Sequence, residues 1–203
     1  MISGRTGSAA EEFTYDIQTQ KRGVIVGETT AGAANPGAVF DAGGGFSVFV
    51  STGAAVNPIT HANWEGVGVR PDVEVAAADA PAKAHELALK AILARGATGA
   101  ARTEVQWALE QLEAEQKGVR LTQAAMASLA GSYGEREVAL QDGALIYKRG
   151  RRPPQKLIPL GGDAFALDGN AYTRIMFGRD ATGRATELVL IDPEGQQSSF
   201  ARR

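Results

Sequence analysis

The segment Ser8-Ala9-Ala10-Glu11-Glu12-Phe13 decides how the first part of the chain is interpreted. It follows a turn bounded by two glycines, and apolar residues recur after it at helical spacing. The helical pattern ends at Lys21-Arg22-Gly23. Basic residues followed by glycine are typical of a helix C-terminus. We therefore predict a helix that begins next to Ser8 and ends near Lys21.

Ser8 has two interpretations at this helix N-terminus. The unpaired backbone N–H groups of a first helical turn favour negative charge. A serine nucleophile uses such a position because its attack on a carbonyl creates an oxyanion, for which the N–H of Ala9 would be one donor. The alternative is structural, because Ser8-x-x-Glu11 is also the pattern of a capping box. The six residues alone favour the cap, since that pattern is common.

Two further segments resemble motifs of a known family. They are Lys-Arg-Gly-Val-Ile-Val-Gly-Glu-Thr-Thr at 21–30 and Asn-Trp-Glu-Gly-Val-Gly-Val-Arg-Pro-Asp at 63–72. Together with the segment at 8–13, they resemble the tail-specific, or C-terminal-processing, serine peptidases. The most similar branch is the one related to tricorn protease and interphotoreceptor retinoid-binding protein. The resemblance covers about residues 1–76 and implies an α/β half-domain of the crotonase/Clp-protease-like fold, the C-terminal part of that family's catalytic domain.

The resemblance also implies which residues are catalytic. One branch of the family uses a serine nucleophile with a lysine base, but Ala33 stands at the position of that lysine. Lys21 is no substitute, because a helix of this length places it about 20 Å from Ser8. The other branch uses a tetrad of serine, histidine, a second serine and glutamate. Ser8 matches its nucleophile and Glu65 its glutamate, although Glu65 could also be an exposed turn carboxylate.

The general base is not identified by the sequence. In the family, the histidine and second serine of the tetrad precede the nucleophile, as does one oxyanion-hole glycine, and only seven residues precede Ser8 here. We therefore expect a truncated catalytic domain that is inactive alone. The two histidines are His61 and His85. We interpret His85 as a surface residue of a helix, and the family does not place its base at the position of His61.

Composition limits the classes of function. The chain has 203 residues, of which 44% are hydrophobic and 22% charged, as in an ordinary globular protein. A formal net charge of −2 offers no electrostatic basis for binding nucleic acid. There is no cysteine, which excludes disulfides and thiolate metal sites. No apolar run is long enough to span a membrane, and no pattern indicates a cofactor or a metal.

The first 76 residues contain no leucine and are rich in valine, glycine and alanine. We predict short buried strands around one helix there, with strands at 23–27 and 45–52 and an irregular segment at 29–45. Helical periodicity returns at 80–95 and about 103–116, with a short third helix near Met126 and Leu129. Residues 96–101 between the first two of these look like a flexible joint.

Regularly spaced strands and turns follow Ser132. The candidate strands are 135–140, 144–148, 156–159, 164–167, 172–177 and 185–191, separated by turn signals such as Asp142-Gly143 and Asp168-Gly169. This spacing favours a small antiparallel meander or partly closed barrel. We therefore predict three parts: residues 1–78 from a peptidase catalytic domain, a helical connector at 79–131 and a small β-domain at 132–203.

Two functions of different classes are compatible with the sequence. The first is a serine endopeptidase that cuts polypeptides through an acyl-enzyme, and the presence of both Ser8 and Glu65 favours it. The second is a non-catalytic relative that binds peptides or apolar ligands, which the missing base favours. By resemblance, we expect an extracytoplasmic location. The sequence does not predict an oligomeric state or a substrate specificity.

Overall fold

The structure is a computed structural model that describes residues 1–203. It forms two compact units, Met1–His85 and Glu86–Arg203. The helices that follow residue 98 group with the strands of the second unit. The division into three parts, with boundaries at residues 78 and 131, remains a prediction. None of the helices combines the length and the apolar character needed to cross a membrane.

The first unit contains one complete helix, two short parallel strands and an antiparallel hairpin. Its elements are α1 (Ala9–Thr19), β1 (Val26–Gly27), β2 (Gly37–Gly43), β3 (Phe46–Ser51) and β4 (Val73–Glu74). β1 pairs in parallel with β4, and Ile2 forms a parallel bridge to Gly27. The chain therefore runs from Ile2 through a turn into α1 and returns in β1. This connection places Ser8 at a strand-to-helix turn, and the helix prediction is confirmed.

Two glycines permit the close backbone contacts around this turn. Gly27 has a φ of 136°, and a Cβ there would lie 1.9 Å from the carbonyl oxygen of Ile2. Gly68 has a φ of 71°, and a Cβ there would lie 2.3 Å from the carbonyl oxygen of Thr30. A side chain at either position would displace the backbone that it faces. Both glycines lie in segments that carry the family resemblance.

The hairpin of β2 and β3 departs from the sequence-based expectation. β3 was predicted, but β2 lies in the segment predicted to be irregular, and the two strands pair antiparallel. Every residue of both strands is exposed, so the prediction of short buried strands is wrong here. Val39 is 68% exposed and Phe46 is 75% exposed. The alternation of side chains correctly indicated a strand, but it cannot show whether another element covers it.

Three further helices follow β4 along the chain. They are α2 (Ala80–Ala94), α3 (Gly99–Gln116) and α4 (Gln123–Leu129). The predictions of the first and third of these are confirmed. α3 begins four residues before its predicted start, within the segment that we expected to be a flexible joint. Ala100 and Ala101 extend it, because alanine has the highest helix propensity.

The second unit contains an antiparallel sheet that nearly closes into a barrel. Each strand pairs with the next in sequence, and Tyr133 forms an antiparallel bridge to Arg202, which brings the first and last strands together. The strands are β5 (Gly131–Tyr133), β6 (Arg136–Gln141), β7 (Ala144–Arg149), β8 (Gln155–Gly161), β9 (Ala164–Leu167), β10 (Asn170–Arg179), β11 (Ala185–Ile191) and β12 (Gln197–Ala201). Six of these eight strands were predicted, and the two missed ones, β5 and β12, close the sheet.

Arg202 holds the closure of this sheet. Its guanidinium donates hydrogen bonds to the carbonyl oxygens of Ser128 (2.9 Å), Ala130 (2.5 Å) and Ala185 (3.2 Å). It also lies 5.8 Å from the ring centre of the fully buried Tyr133. One cation therefore connects the end of α4 to β11 and to Tyr133 of the edge strand β5.

Replacement of Arg202 by alanine should destabilise the second unit. We expect the free energy of unfolding to fall by about 3 kcal/mol, because three carbonyl oxygens lose a charged donor. The matched control is Arg203→Ala, since the exposed Arg203 contributes only its backbone N–H to this contact, through a bond to the carbonyl oxygen of Ser132. Urea unfolding of a Trp64→Phe background, followed by Trp107 fluorescence, measures both variants. Equal losses in the two variants would contradict the role given to Arg202.

Candidate functional site

Ser8 occupies a strained backbone conformation at the start of α1. It is the N-cap residue, it is exposed, and it has a φ of 54° and a ψ of −130°. A residue other than glycine in such a region costs about 1–3 kcal/mol and persists only where its surroundings impose it. A sharp, strained turn from strand to helix is also the setting in which other hydrolases expose a nucleophilic serine.

Ser8 and Ala9 are both exposed at the start of α1. Ser8 and Glu11 form a capping box, in which the Glu11 carboxylate accepts from the Ser8 N–H and the Ser8 side chain faces the Glu11 N–H. The Glu11 amide also donates to the Ser8 carbonyl oxygen, at 2.8 Å. The N–H of Ala9 has no acceptor within the chain. A potential nucleophile and a potential oxyanion donor therefore lie on consecutive residues.

Glu11 is a buried carboxylate with four hydrogen-bond donors. Its Oε1 accepts from the Thr30 hydroxyl and from the N–H of Gly32 (2.7 Å). Its Oε2 accepts from the N–H groups of Ala33 (2.9 Å) and Ser8 (3.0 Å). The side chain has no solvent exposure. Burial acts to raise the pKa of Glu11, but these hydrogen bonds outweigh burial and hold the pKa below its ordinary value.

Glu65 binds the next two residues of the same loop. Its Oε2 accepts from the N–H groups of Ala34 (2.7 Å) and Asn35 (2.8 Å). Four consecutive backbone N–H groups, at 32–35, therefore point to two carboxylates. The Oε1 of Glu65 accepts no hydrogen bond from the chain, and the residue is exposed. Ser8 is therefore linked to this loop through Glu11, and Glu65 binds the same loop directly.

No histidine contacts Ser8. His61 is exposed, and the neighbouring Thr60 is bonded through its hydroxyl to the hydroxyl of Tyr15 at 3.0 Å. Tyr15 lies seven residues after Ser8 on α1, a distance of about 10 Å along the helix axis. His85 is an exposed residue of α2. The structure therefore brings a candidate nucleophile and an oxyanion donor together but gives them no base.

The role of Glu11 was missed by reasoning from the sequence, which assigned it only to a capping box. Three of its four donors come from residues about 20 positions away, a distance that no local pattern reveals. Asp72 likewise had no predicted role of its own. Its carboxylate accepts from the N–H of Ile25 at 2.7 Å, next to β1. The carboxylates of Glu11 and Asp72 thus both accept hydrogen bonds from backbone N–H groups.

A cavity of about 590 Å³ lies in the second unit and is chemically unlike the Ser8 region. It is lined by the end of α3 and by β7 and β8, with Arg120 and Lys156 among its charged residues. Its lining contains no serine, threonine, cysteine or histidine. The structure has no group of three or more side chains of the types that bind metal ions. The candidate site therefore remains in the first unit.

Comparison with known families supports this choice. Residues 1–75 match the model of peptidase family S41. The matched range contains the Ser8 turn, α1, the loop at 30–35 and Glu65, and it ends before α2. Because S41 is a family of serine peptidases, the match supports a serine peptidase relationship for the first unit. The near-barrel lies outside the range matched to S41.

Acid should remove the contribution of Glu11 to stability. The folded-state pKa of Glu11 lies below its ordinary value of 4.5, so its contribution is present above pH 4.5 and is lost as the pH falls through the folded-state pKa. The stability difference between the native chain and Glu11→Gln should therefore shrink in acid. Urea unfolding of a Trp107→Phe background, followed by Trp64 fluorescence, measures this difference. A difference that is independent of pH would contradict an ionised Glu11.

Backbone strain at Ser8 predicts a difference between two substitutions. Both Ser8→Gly and Ser8→Ala remove the hydroxyl, but only glycine adopts a φ of 54° without strain. Ser8→Gly should therefore be more stable than Ser8→Ala by about 1 kcal/mol. The same Trp64-based unfolding measurement compares them. Equal stabilities, or a more stable alanine variant, would show that Ser8 is not strained.

Proposed function

We propose that the first unit carries the nucleophile of a serine peptidase. Ser8 attacks the carbonyl carbon of a peptide bond while the N–H of Ala9 donates to the oxyanion; the C–N bond then breaks, the protonated amine leaves, and the acyl group stays on Ser8 as an acyl-enzyme. The observation that carries this proposal is the exposed Ser8 beside the unused N–H of Ala9 in a strained turn. The match to S41 over the same residues supports it. The substrate would then be a polypeptide.

The proton of Ser8 needs an acceptor that these residues do not provide. An alcohol is a weak nucleophile at neutral pH without a neighbouring base. We propose that a histidine from outside residues 1–203 supplies the base and that Glu65 belongs to the same tetrad. The free Oε1 of Glu65 is suited to orient a tetrad partner. On this proposal the 203 residues alone do not hydrolyse peptides.

The finer classification follows from the same residues. Ala33 at the position of a lysine base favours the branch related to tricorn protease and interphotoreceptor retinoid-binding protein. The parallel strands around α1 are compatible with a half-domain of the crotonase/Clp-protease-like fold. The resemblance to that branch also favours an extracytoplasmic location. These assignments belong to the proposal and depend on the resemblance.

A second candidate function is binding without catalysis. The absence of a histidine beside Ser8 and the exposed apolar side chains of the hairpin favour it. Val39, Phe46 and Phe49 are each more than half exposed. On this reading the first unit binds a peptide or an apolar ligand, and Ser8 serves only as a turn residue. Reactivity of the Ser8 hydroxyl separates the two candidates.

An added base should reveal the reactivity of Ser8. We expect imidazole at neutral pH to accelerate labelling of Ser8 by a fluorophosphonate, because imidazole replaces the missing proton acceptor. Ser8 should react on the order of 100-fold faster than the exposed Ser47, because an oxyanion donor contributes about that factor. Mass spectrometry of the digested protein identifies the labelled residues, and Ser8→Ala is the control. Equal labelling of Ser8 and Ser47 would contradict the proposal and favour binding without catalysis.

A further inference from the structure

Glu11 is the one buried acidic residue of the first unit, and the proposed chemistry does not yet use it. It contacts the backbone of Ser8 and the loop at 32–35, to which Glu65 also binds. We propose that Glu11 is a positioning residue whose carboxylate holds the Ser8 turn in the conformation that presents the hydroxyl and the Ala9 N–H to a substrate. This inference rests on the function proposed above.

The bond from the Ser8 N–H is the first step of the argument. Oε2 of Glu11 accepts from Ser8 at 3.0 Å and from Ala33 at 2.9 Å, so one oxygen joins the turn to the loop. Rotation of Ser8 from its φ of 54° to a negative value would reorient the peptide plane that carries this N–H. The hydrogen bond therefore selects the strained conformation over the relaxed one.

The second step concerns what holds Glu11 itself. Its side chain rises from the first turn of α1 and is buried, so water does not replace its partners. Oε1 accepts from the Thr30 hydroxyl, and the oxygen of Thr30 accepts in turn from the N–H of Val69 at 2.7 Å. The carboxylate is thus fixed from both sides, and Ser8 has little freedom to move relative to the loop.

Only a carboxylate fits this set of donors. All four partners donate, and an ionised carboxylate has two oxygens that accept and no hydrogen that donates. Glutamine has nearly the same shape, but its NH₂ group would face two N–H groups. Glu11→Gln therefore removes acceptors with almost no change of volume. The side chain of the neighbouring Glu12 is exposed and makes no hydrogen bond, and its backbone N–H, which donates to the Ser8 carbonyl oxygen, is unchanged by Glu12→Gln, so that variant is a matched control.

The experiment compares these two variants of the 203-residue chain in the imidazole and fluorophosphonate reaction. Circular dichroism first establishes that both are folded at the temperature used. We expect Glu11→Gln to lower the labelling rate of Ser8 at least about tenfold, since small displacements of reacting groups have effects of this size. The ³¹P resonance of the Ser8 adduct should move towards that of a phosphonylated free serine, because the Ala9 N–H no longer faces it. Glu12→Gln should match the native chain in both measurements.

Amide hydrogen exchange separates this inference from the proposed function. Exchange at the N–H groups of Ser8, Gly32 and Ala33 should accelerate in Glu11→Gln and not in Glu12→Gln. If the native chain is not labelled, the proposed function fails, and exchange alone then decides whether Glu11 holds the turn. Equal exchange in the two variants, or equal labelling with an unchanged ³¹P resonance, would overturn the inference.

A second variant covers the case in which Glu11→Gln does not fold. Thr30→Val removes one of the four donors to Glu11 and leaves the carboxylate in place. We expect slower labelling of Ser8 in that folded variant than in the native chain, together with faster exchange at Gly32. Native labelling and exchange in Thr30→Val would overturn the inference.

Discussion

The hydrogen bonds to the buried carboxylate of Glu11 are the constraint on which the site depends. A left-handed serine costs about 1–3 kcal/mol, whereas each hydrogen bond to a charged group contributes about 1.5–3 kcal/mol. Four donors converge on Glu11, and one of them is the N–H of the strained residue. The bond from the Ser8 N–H is therefore of the same size as the strain, and the other three bonds hold its acceptor in place. An ionised Glu11 without these donors would itself be strongly unfavourable in a buried position.

The same carboxylate explains how distant parts of the sequence meet. Glu11 binds the first half of the loop at 32–35, and Glu65 binds the second half. The carboxylates of the two glutamates therefore accept hydrogen bonds from backbone N–H groups that pair with no strand. This arrangement leaves Ser8 exposed and leaves the Ala9 N–H and one oxygen of Glu65 without partners in the chain. Groups left unpaired on one loop system are what a peptidase site would require, and residues 1–75 match family S41.

Local patterns predicted much of this fold, and non-local contacts account for what they missed. Helical spacing identified all four helices, with the start of α3 four residues earlier than predicted, and the turn residues located six strands of the near-barrel. β5 and β12 were missed because they are short and rich in polar or small residues, yet they close the sheet through Arg202. The exposure of β2 and β3 depends on what packs against them. The sequence indicated Glu11 only as part of a capping box with Ser8, because its other partners, Thr30, Gly32 and Ala33, lie about 20 positions away.

Scalar couplings through hydrogen bonds in an isotope-labelled sample test the central claim most directly. The amide nitrogens of Gly32 and Ala33 should couple to the side-chain carboxyl carbon of Glu11. That carbon should titrate below the ordinary glutamate value of 4.5. This outcome would establish an ionised Glu11 that holds the loop beside Ser8. Couplings from these amides to backbone carbonyl carbons, with an ordinary titration of Glu11, would contradict the account.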